Sequence, residues 1–231
     1  MARHPPVIRK VTEDDFEACT LTLAAAFDDD PLVNYMLRQD DKRLDGLRQA
    51  YRELILPAYV PQGESYMASD ESGVALWSPP PGKHVTTDGE WATMRPLMRS
   101  ISGRRAARFE RVVRFMEERH PDEHHAYLFV IGVHPRNQGK GIGSALLQRM
   151  TERLDRDGTP AYLESTKEIN VPLYERHGFQ VMDMLRPERG APPYWRMWRN
   201  CGTRLRRIVD SNYSTCWKPS CPRRVRDRRA S

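Results

Sequence analysis

The sequence has 231 residues, enough for one domain with a terminal extension, and 39% of them are hydrophobic, enough for a core. No run nears the roughly 18 apolar residues of a membrane helix, and Met1-Ala2-Arg3-His4-Pro5-Pro6 lacks the apolar stretch of a secretory signal, so no membrane partner and a cytoplasmic location are expected. The net charge of +6 is unevenly placed: nine Lys and Arg against two Asp give residues 204–231 a charge of +7 and leave −1 for the rest.

In chain order, Val7–Val11 is a short β-prone run. Thr12 then offers an N-cap before the acids Glu13, Asp14 and Asp15, and Phe16, Cys19, Leu23 and Phe27 recur at helical steps. Cys19 on that face reads as a small core residue. A second helical stretch is expected from Pro31 to Val60, ended by Pro57 and Pro61. Residues 65–68 and 74–77 flank a polar turn and read as a hairpin. Residues 89–119 read as helical, with interruptions at Pro96 and Gly103. Ala126–Val133 is a continuous apolar run and reads as a buried strand. A helix over Gly141–Asp155, a strand over Pro160–Ser165, a short helix over Asn170–His177, and strands at Phe179–Met184 and Tyr194–Trp198 complete the order. This alternation predicts an α/β layer.

After Trp198 the periodicity stops. Residues 216–229 hold two prolines and dense like charge, a composition too poor in apolar surface to offset ordering entropy. The chain is therefore divided into one domain over 1–200 and a disordered basic tail over 201–231. That tail has the charge footprint of a nucleic-acid binder without a recognisable fold, so nucleic acid is not an expected partner. Cys201, Cys216 and Cys221 show neither Cys-x-x-Cys spacing nor accompanying histidines, and no metal is expected.

The chemistry lies in Ile131-Gly132-Val133-His134-Pro135-Arg136-Asn137-Gln138-Gly139-Lys140-Gly141-Ile142-Gly143-Ser144. A strand ends at Val133, Pro135 turns the chain, and a glycine-rich loop opens into a helix. Helix N-termini carry unpaired N–H groups and a partial positive charge, so they suit phosphates, and glycines let the backbone approach closely. Two diphosphate motifs fail: the P-loop needs glycine where His134 stands, and the dinucleotide fingerprint needs its glycines straight off the strand. A ligand-free glycine turn is the remaining plain reading.

The pattern Val133-x-Pro135-x-x-Gln138-Gly139-x-Gly141-Ile142-Gly143 resembles the signature of the GNAT superfamily of acetyl-CoA-dependent N-acetyltransferases. Asn170-Val171-Pro172-Leu173-Tyr174-Glu175-Arg176-His177-Gly178-Phe179 resembles that superfamily's second half. A narrower resemblance, to its puromycin N-acetyltransferase-like branch, rests on Ala24-Ala25-Ala26-Phe27, on Pro160–Glu164 and on Tyr174–Phe179. The resemblance implies the acyl-CoA N-acyltransferase fold, a mixed but mostly antiparallel sheet flanked by helices. It implies direct acetyl transfer from acetyl-CoA to an amine of a small molecule, with a protein or peptide acceptor, or a non-catalytic sensor, as the alternatives; a homodimer is left open.

By the same resemblance, the backbone of Gln138, Gly139, Lys140, Gly141, Ile142, Gly143 and Ser144 cradles the pyrophosphate. Ile131, Gly132 and Val133 pair with the pantetheine, and the Val133 N–H polarises the thioester carbonyl. Gly132 is expected to sit at a bulge that splays the sheet. Tyr174 is the expected general acid, against a plain role as a packed core tyrosine. Asn170 either reaches the pantetheine or caps its helix; it stands four residues before Tyr174, where many family members have seven. The familiar basic glutamate on the strand before Val133 is missing, which leaves Glu164, His124 and His125 as candidate bases.

Overall fold

A computed structural model describes residues 6–82 and 86–201 of the chain. The expected basic tail, from residue 202 onward, lies outside the described residues. Seven strands form one sheet among those residues: β1 (Ile8–Lys10), β2 (Ser65–Ala68), β3 (Gly73–Ser78), β4 (Ala126–Val133), β5 (Ala161–Ser165), β6 (Gln180–Leu185) and β7 (Tyr194–Arg199). Their order is β1-β2-β3-β4-β5-β7-β6, and every neighbouring pair is antiparallel except β4 with β5. That is the mixed, mostly antiparallel sheet that the family resemblance implied.

Helices cover both faces. On one face lie α1 (Phe16–Ala26), α2 (Pro31–Met36), α3 (Arg43–Gln49), α4 (Leu56–Tyr59), α5 (Asp88–Ser102) and α6 (Ala106–Glu118). Their buried stripe includes Cys19, Leu23, Leu47, Tyr51, Leu56, Trp91, Met98 and Ile101, against Val74, Leu76 and Val130 of the sheet. Cys19 is fully buried there, as its periodicity implied. On the other face α7 (Ile142–Asp157) and α8 (Val171–Arg176) bury Ile142, Leu146, Met150, Leu154 and Tyr174 against Leu128, Leu163 and Met197. Burying each such large side chain contributes roughly 1.5–3 kcal/mol.

Three expectations are corrected. The single helix over 31–60 is broken, because Leu37 turns extended and a turn follows in which Asp40 accepts from the Lys42 N–H at 3.2 Å before the helix restarts at Arg43. Downstream the chain widens into a π-helical segment over Ala50–Ile55, after which Pro57 opens α4 instead of ending a helix. A proline inside a helical run has no N–H to give and crowds the carbonyl one turn back, and here it stands just past the widened π-helical turn. Pro96, expected as a break, lies inside a continuous α5, and its exposed face leaves the freed carbonyl of the preceding turn to water. Gly103 does end that helix, at φ 56°.

The third correction concerns Gly132. The bulge lies elsewhere: Leu76 pairs with Val130 and Trp77 with Leu128, so Phe129 is the extra residue on β4. Gly132 instead lets α1 close on the strand, since a Cβ there would come within 2.9 Å of Ala26 Cβ and 3.0 Å of Leu23 Cδ2. The bulge also explains why β4 is not uniformly buried. Ala126 and Leu128 face α7, Phe129 and Val130 face α1, and Ile131 and Val133 face α7 again.

Candidate active site

The parallel pair β4·β5 is short. Ala126, Tyr127 and Leu128 pair with Ala161, Tyr162 and Leu163, and the strands then part. Phe129–Val133 keep only β3 as neighbour, and Glu164 and Ser165 keep only β7. The bulge at Phe129 stands where the gap begins, and the added twist of a bulge turns β4 away from β5. A wedge results, open toward the C-terminal ends of both strands.

The ladder decides which backbone groups face the wedge. The His134 N–H donates to Ser72 O on the β3 side at 2.9 Å. Antiparallel bonding alternates, so Gly132 also bonds toward β3, and the N–H groups of Ile131 and Val133 point the other way, into the gap. The Val133 carbonyl is taken by the Gln138 side chain, whose Nε2 donates at 3.1 Å.

Beyond β4 the chain passes His134-Pro135 and reaches Gly139 and Gly141 at φ 73° and 85°, conformations that glycine adopts without strain. A side chain at either position would meet nothing within 4 Å, so both face open space. Gly141 is the N-cap of α7, and no side chain caps it. The first helical bond is Ala145 N–H to Gly141 O at 3.0 Å, so the N–H groups of Ile142, Gly143 and Ser144 begin the helix with no acceptor among the described residues. The Lys140 ammonium is held by Asn137 Oδ1 at 2.6 Å. At Gly143 three elements converge: an added Cβ would sit 3.6 Å from Leu173 of α8 and 3.7 Å from Val133 of β4.

Across the wedge, α8 presents Tyr174, buried and edge-on to Phe179 at 6.3 Å. Its hydroxyl makes no hydrogen bond among the described residues, and burial, with the Asp30 charge nearby, pushes its pKa well above the ordinary phenol value. Asn170 stands at the N-cap of α8, but its side chain makes no capping bond, so capping does not account for it. Asp30 fastens α2 to this rim. Its Oδ1 accepts from the N–H groups of Leu32 and Val33 at 3.0 and 2.9 Å, and its Oδ2 accepts from Thr166 Oγ1. Lys167 pairs with Asp29 beside it. Farther out, Glu188 of the β6–β7 connection accepts from Tyr35 of α2 at 2.8 Å and from Arg111 of α6 at 3.0 Å.

Glu164 stands one residue past the last β4·β5 pair, at the apex of the wedge. It accepts from Tyr127 at 2.6 Å and from Tyr162 at 2.9 Å. Burial pushes its pKa up to about 6, against the pull of those two hydroxyls and of Arg196. Tyr59 stacks on Phe129 at 4.3 Å and borders the same corner. His125, by contrast, precedes β4 at the closed end of the pair, where its ring packs against His120 with Nε2 atoms 3.0 Å apart; His124 lies beside it in sequence. Tyr127, Tyr162 and Asp30 escaped the sequence reading. Only Tyr162 left a trace, two residues before Glu164 on one strand face.

The sequence model of the Acetyltransferase (GNAT) family matches residues 77–179. An uncharacterised N-acetyltransferase of Schizosaccharomyces pombe is 28% identical over 186 residues, covering 74% of this chain and 73% of that protein. A crystal structure from Corynebacterium glutamicum, described as histone acetyltransferase HPA2 and related acetyltransferase, superposes with a TM-score of 0.67 at 28% identity, covering 87% of this chain and 99% of that one. The Drosophila melanogaster polyamine N-acetyltransferase shares the fold, with a TM-score of 0.59 at 17% identity over 84% of this chain and 99% of that one. Among the described residues no helix is long and apolar enough to cross a membrane. The family match runs from β3 past α8, the stretch that builds both rims of the wedge, and over that stretch the chain is similar to the GNAT superfamily of N-acetyltransferases, whose members use acetyl-CoA as cosubstrate.

Proposed function

We propose that the chain transfers the acetyl group of acetyl-CoA to a primary amine of a small molecule by direct attack, without an acyl-enzyme. The observation that carries this reading is the parted β4·β5 seam, with backbone donors of β4 turned into it and the uncapped start of α7 at its mouth. Unpartnered N–H groups at Ile142, Gly143 and Ser144, with the open glycine turn at 139–141, fit a pyrophosphate. Ile131 and Val133 offer an extended ligand the bonds that β5 does not take. The Val133 N–H is then aimed at a carbonyl oxygen that gains charge, a role worth about 2.7–4 kcal/mol in comparable sites. Asn170, unused as a cap, adds an amide to the same rim.

Acetyl-CoA supplies the thioester carbonyl that the amine attacks and the thiolate that leaves. Tyr174 gives its proton to that thiolate; its raised pKa keeps the phenol protonated at neutral pH. Glu164 takes the proton of the acceptor ammonium. Its placement at the wedge apex and its pKa of about 6 suit a base at neutral pH, and the closed-end placement of His124 and His125 does not.

The small-molecule reading is supported by the bonds that bridge the acceptor side: Asp30 to Thr166, Lys167 to Asp29, and Tyr35 to Glu188. A peptide acceptor needs an open groove there. Incubation of the protein with acetyl-CoA and a mixed panel of small amines and peptides, read by mass spectrometry, tests the proposal. Acetylation confined to small amines is expected. Transfer confined to peptides would overturn the acceptor class, and bound cosubstrate without any transfer would make the protein a sensor.

A further inference from the structure

Ser144 lies in the first turn of α7, among the unpartnered donors, and His177 lies at the C-terminal end of α8. Ser144 Oγ and His177 Nε2 are 2.7 Å apart in a partly buried contact. The His177 backbone is held there from a third element. Arg199 of β7 donates from Nε to the His177 carbonyl at 2.8 Å, and its Nη2 is gripped by Asp155 of α7 at 2.6 and 2.7 Å. Gly178, at φ 86°, lets the chain turn beneath that guanidinium.

A serine hydroxyl has one proton to give. When His177 Nε2 is bare, Ser144 spends that proton on the ring and shows an incoming anion only lone pairs. When Nε2 carries a proton, in the neutral Nε2–H tautomer or in the imidazolium, the ring donates to Oγ and the hydroxyl proton is released toward the anion; only the imidazolium adds a positive charge beside it. We infer that His177 is a positioning residue for the cosubstrate's diphosphate, which directs the Ser144 hydroxyl and takes up a proton as the anion enters the turn.

The inference rests on the cradle reading proposed above. The charged groups facing His177 are Arg176 on its own helix and Arg199 of β7, the latter paired with Asp155. Burial first, then the two arginines, hold the imidazole below its usual value, so the free protein keeps it neutral at neutral pH. A diphosphate brings negative charge into that surround and favours the imidazolium. Affinity for coenzyme A therefore tightens as pH falls through the His177 pKa of the complex, and levels off below that of the free protein.

Calorimetric titration with coenzyme A from pH 8 to 5.5, on the wild-type chain, His177→Gln and Ser144→Ala, tests this. The ligand's own phosphates titrate alike in all three, so differences between the curves belong to the protein. A rise of about half a pKa unit corresponds to about threefold in affinity. We expect the wild type to tighten about threefold more than His177→Gln over that range, with Ser144→Ala losing part of the gain. The His177 ring-proton resonance of the wild type, titrated with and without coenzyme A, should report the same rise without any substitution. Parallel affinity curves and an unshifted resonance would overturn the inference while leaving the cradle intact. Absence of coenzyme A binding by the wild type at every pH would overturn the cradle, and the inference with it.

Discussion

Tyr127→Phe removes one oxygen atom and, on this account, moves the pH dependence of the reaction. The Tyr127 hydroxyl donates to Glu164 at 2.6 Å, and it is one of two such bonds that restrain a carboxyl pushed up to about 6 by burial. A hydrogen bond to a charged acceptor contributes about 1.5–3 kcal/mol, and one pKa unit equals about 1.4 kcal/mol. Glu164 keeps some contact with solvent, so water replaces part of the lost bond and the low end applies, a rise of about one unit. Only the carboxylate accepts a proton, so kcat/KM falls about tenfold for each pH unit below that pKa and is flat above it. Thiol release with a responsive amine, followed from pH 5 to 9, should place the acid limb near 6 in the wild type. In Tyr127→Phe the limb should lie about one unit higher. A limb that stays in place, or moves down, would refute Glu164 as the base.

Three further outcomes follow from the same geometry. Tyr174→Phe keeps the ring packing and loses the proton, so kcat should fall by about 10²-fold while calorimetric affinity for coenzyme A stays unchanged; an unchanged kcat would reduce Tyr174 to packing. Asp30→Ala removes the cap of α2 and its tie to Thr166, a loss of about 1–2 kcal/mol, read as a melting temperature lower by about 4 °C. Gly132→Val forces α1 off β4 and should cost about 1–3 kcal/mol in urea unfolding, an effect that a bulge position would not show.

What the sequence revealed and concealed divides along local and non-local lines. The glycine turn and the start of α7 were legible because each glycine is demanded by its own backbone, at φ 73° and 85° for residues 139 and 141. The roles proposed for Tyr174 and Asn170 come from resemblance to a contiguous pattern. The break-up of residues 31–60 was not legible, because it depends on distant partners: Ser100 O, which accepts from Arg38 at 3.0 Å, and Arg105, which donates to Asn34 O at 2.8 Å and to Leu37 O at 3.2 Å. Gly132 misled for a related reason. A glycine in a strand signals either a bulge or a close approach, and only the position of α1 distinguishes them. The role of Glu164 depends on where β4 and β5 part, and on a tyrosine thirty-seven residues earlier in the chain, so no window of sequence contains it.

The claim beneath all of this is that the turn before α7 holds the cosubstrate's diphosphate, and Gly141 is where that claim is most exposed. The residue caps α7 at φ 85° and faces open space, so Gly141→Glu sets a carboxylate where the anion should sit. Titration of coenzyme A into wild type and variant, with thermal melts confirming that both are folded, decides the matter. The account predicts a measurable affinity in the wild type and none in Gly141→Glu. Equal affinity in two folded proteins would contradict it.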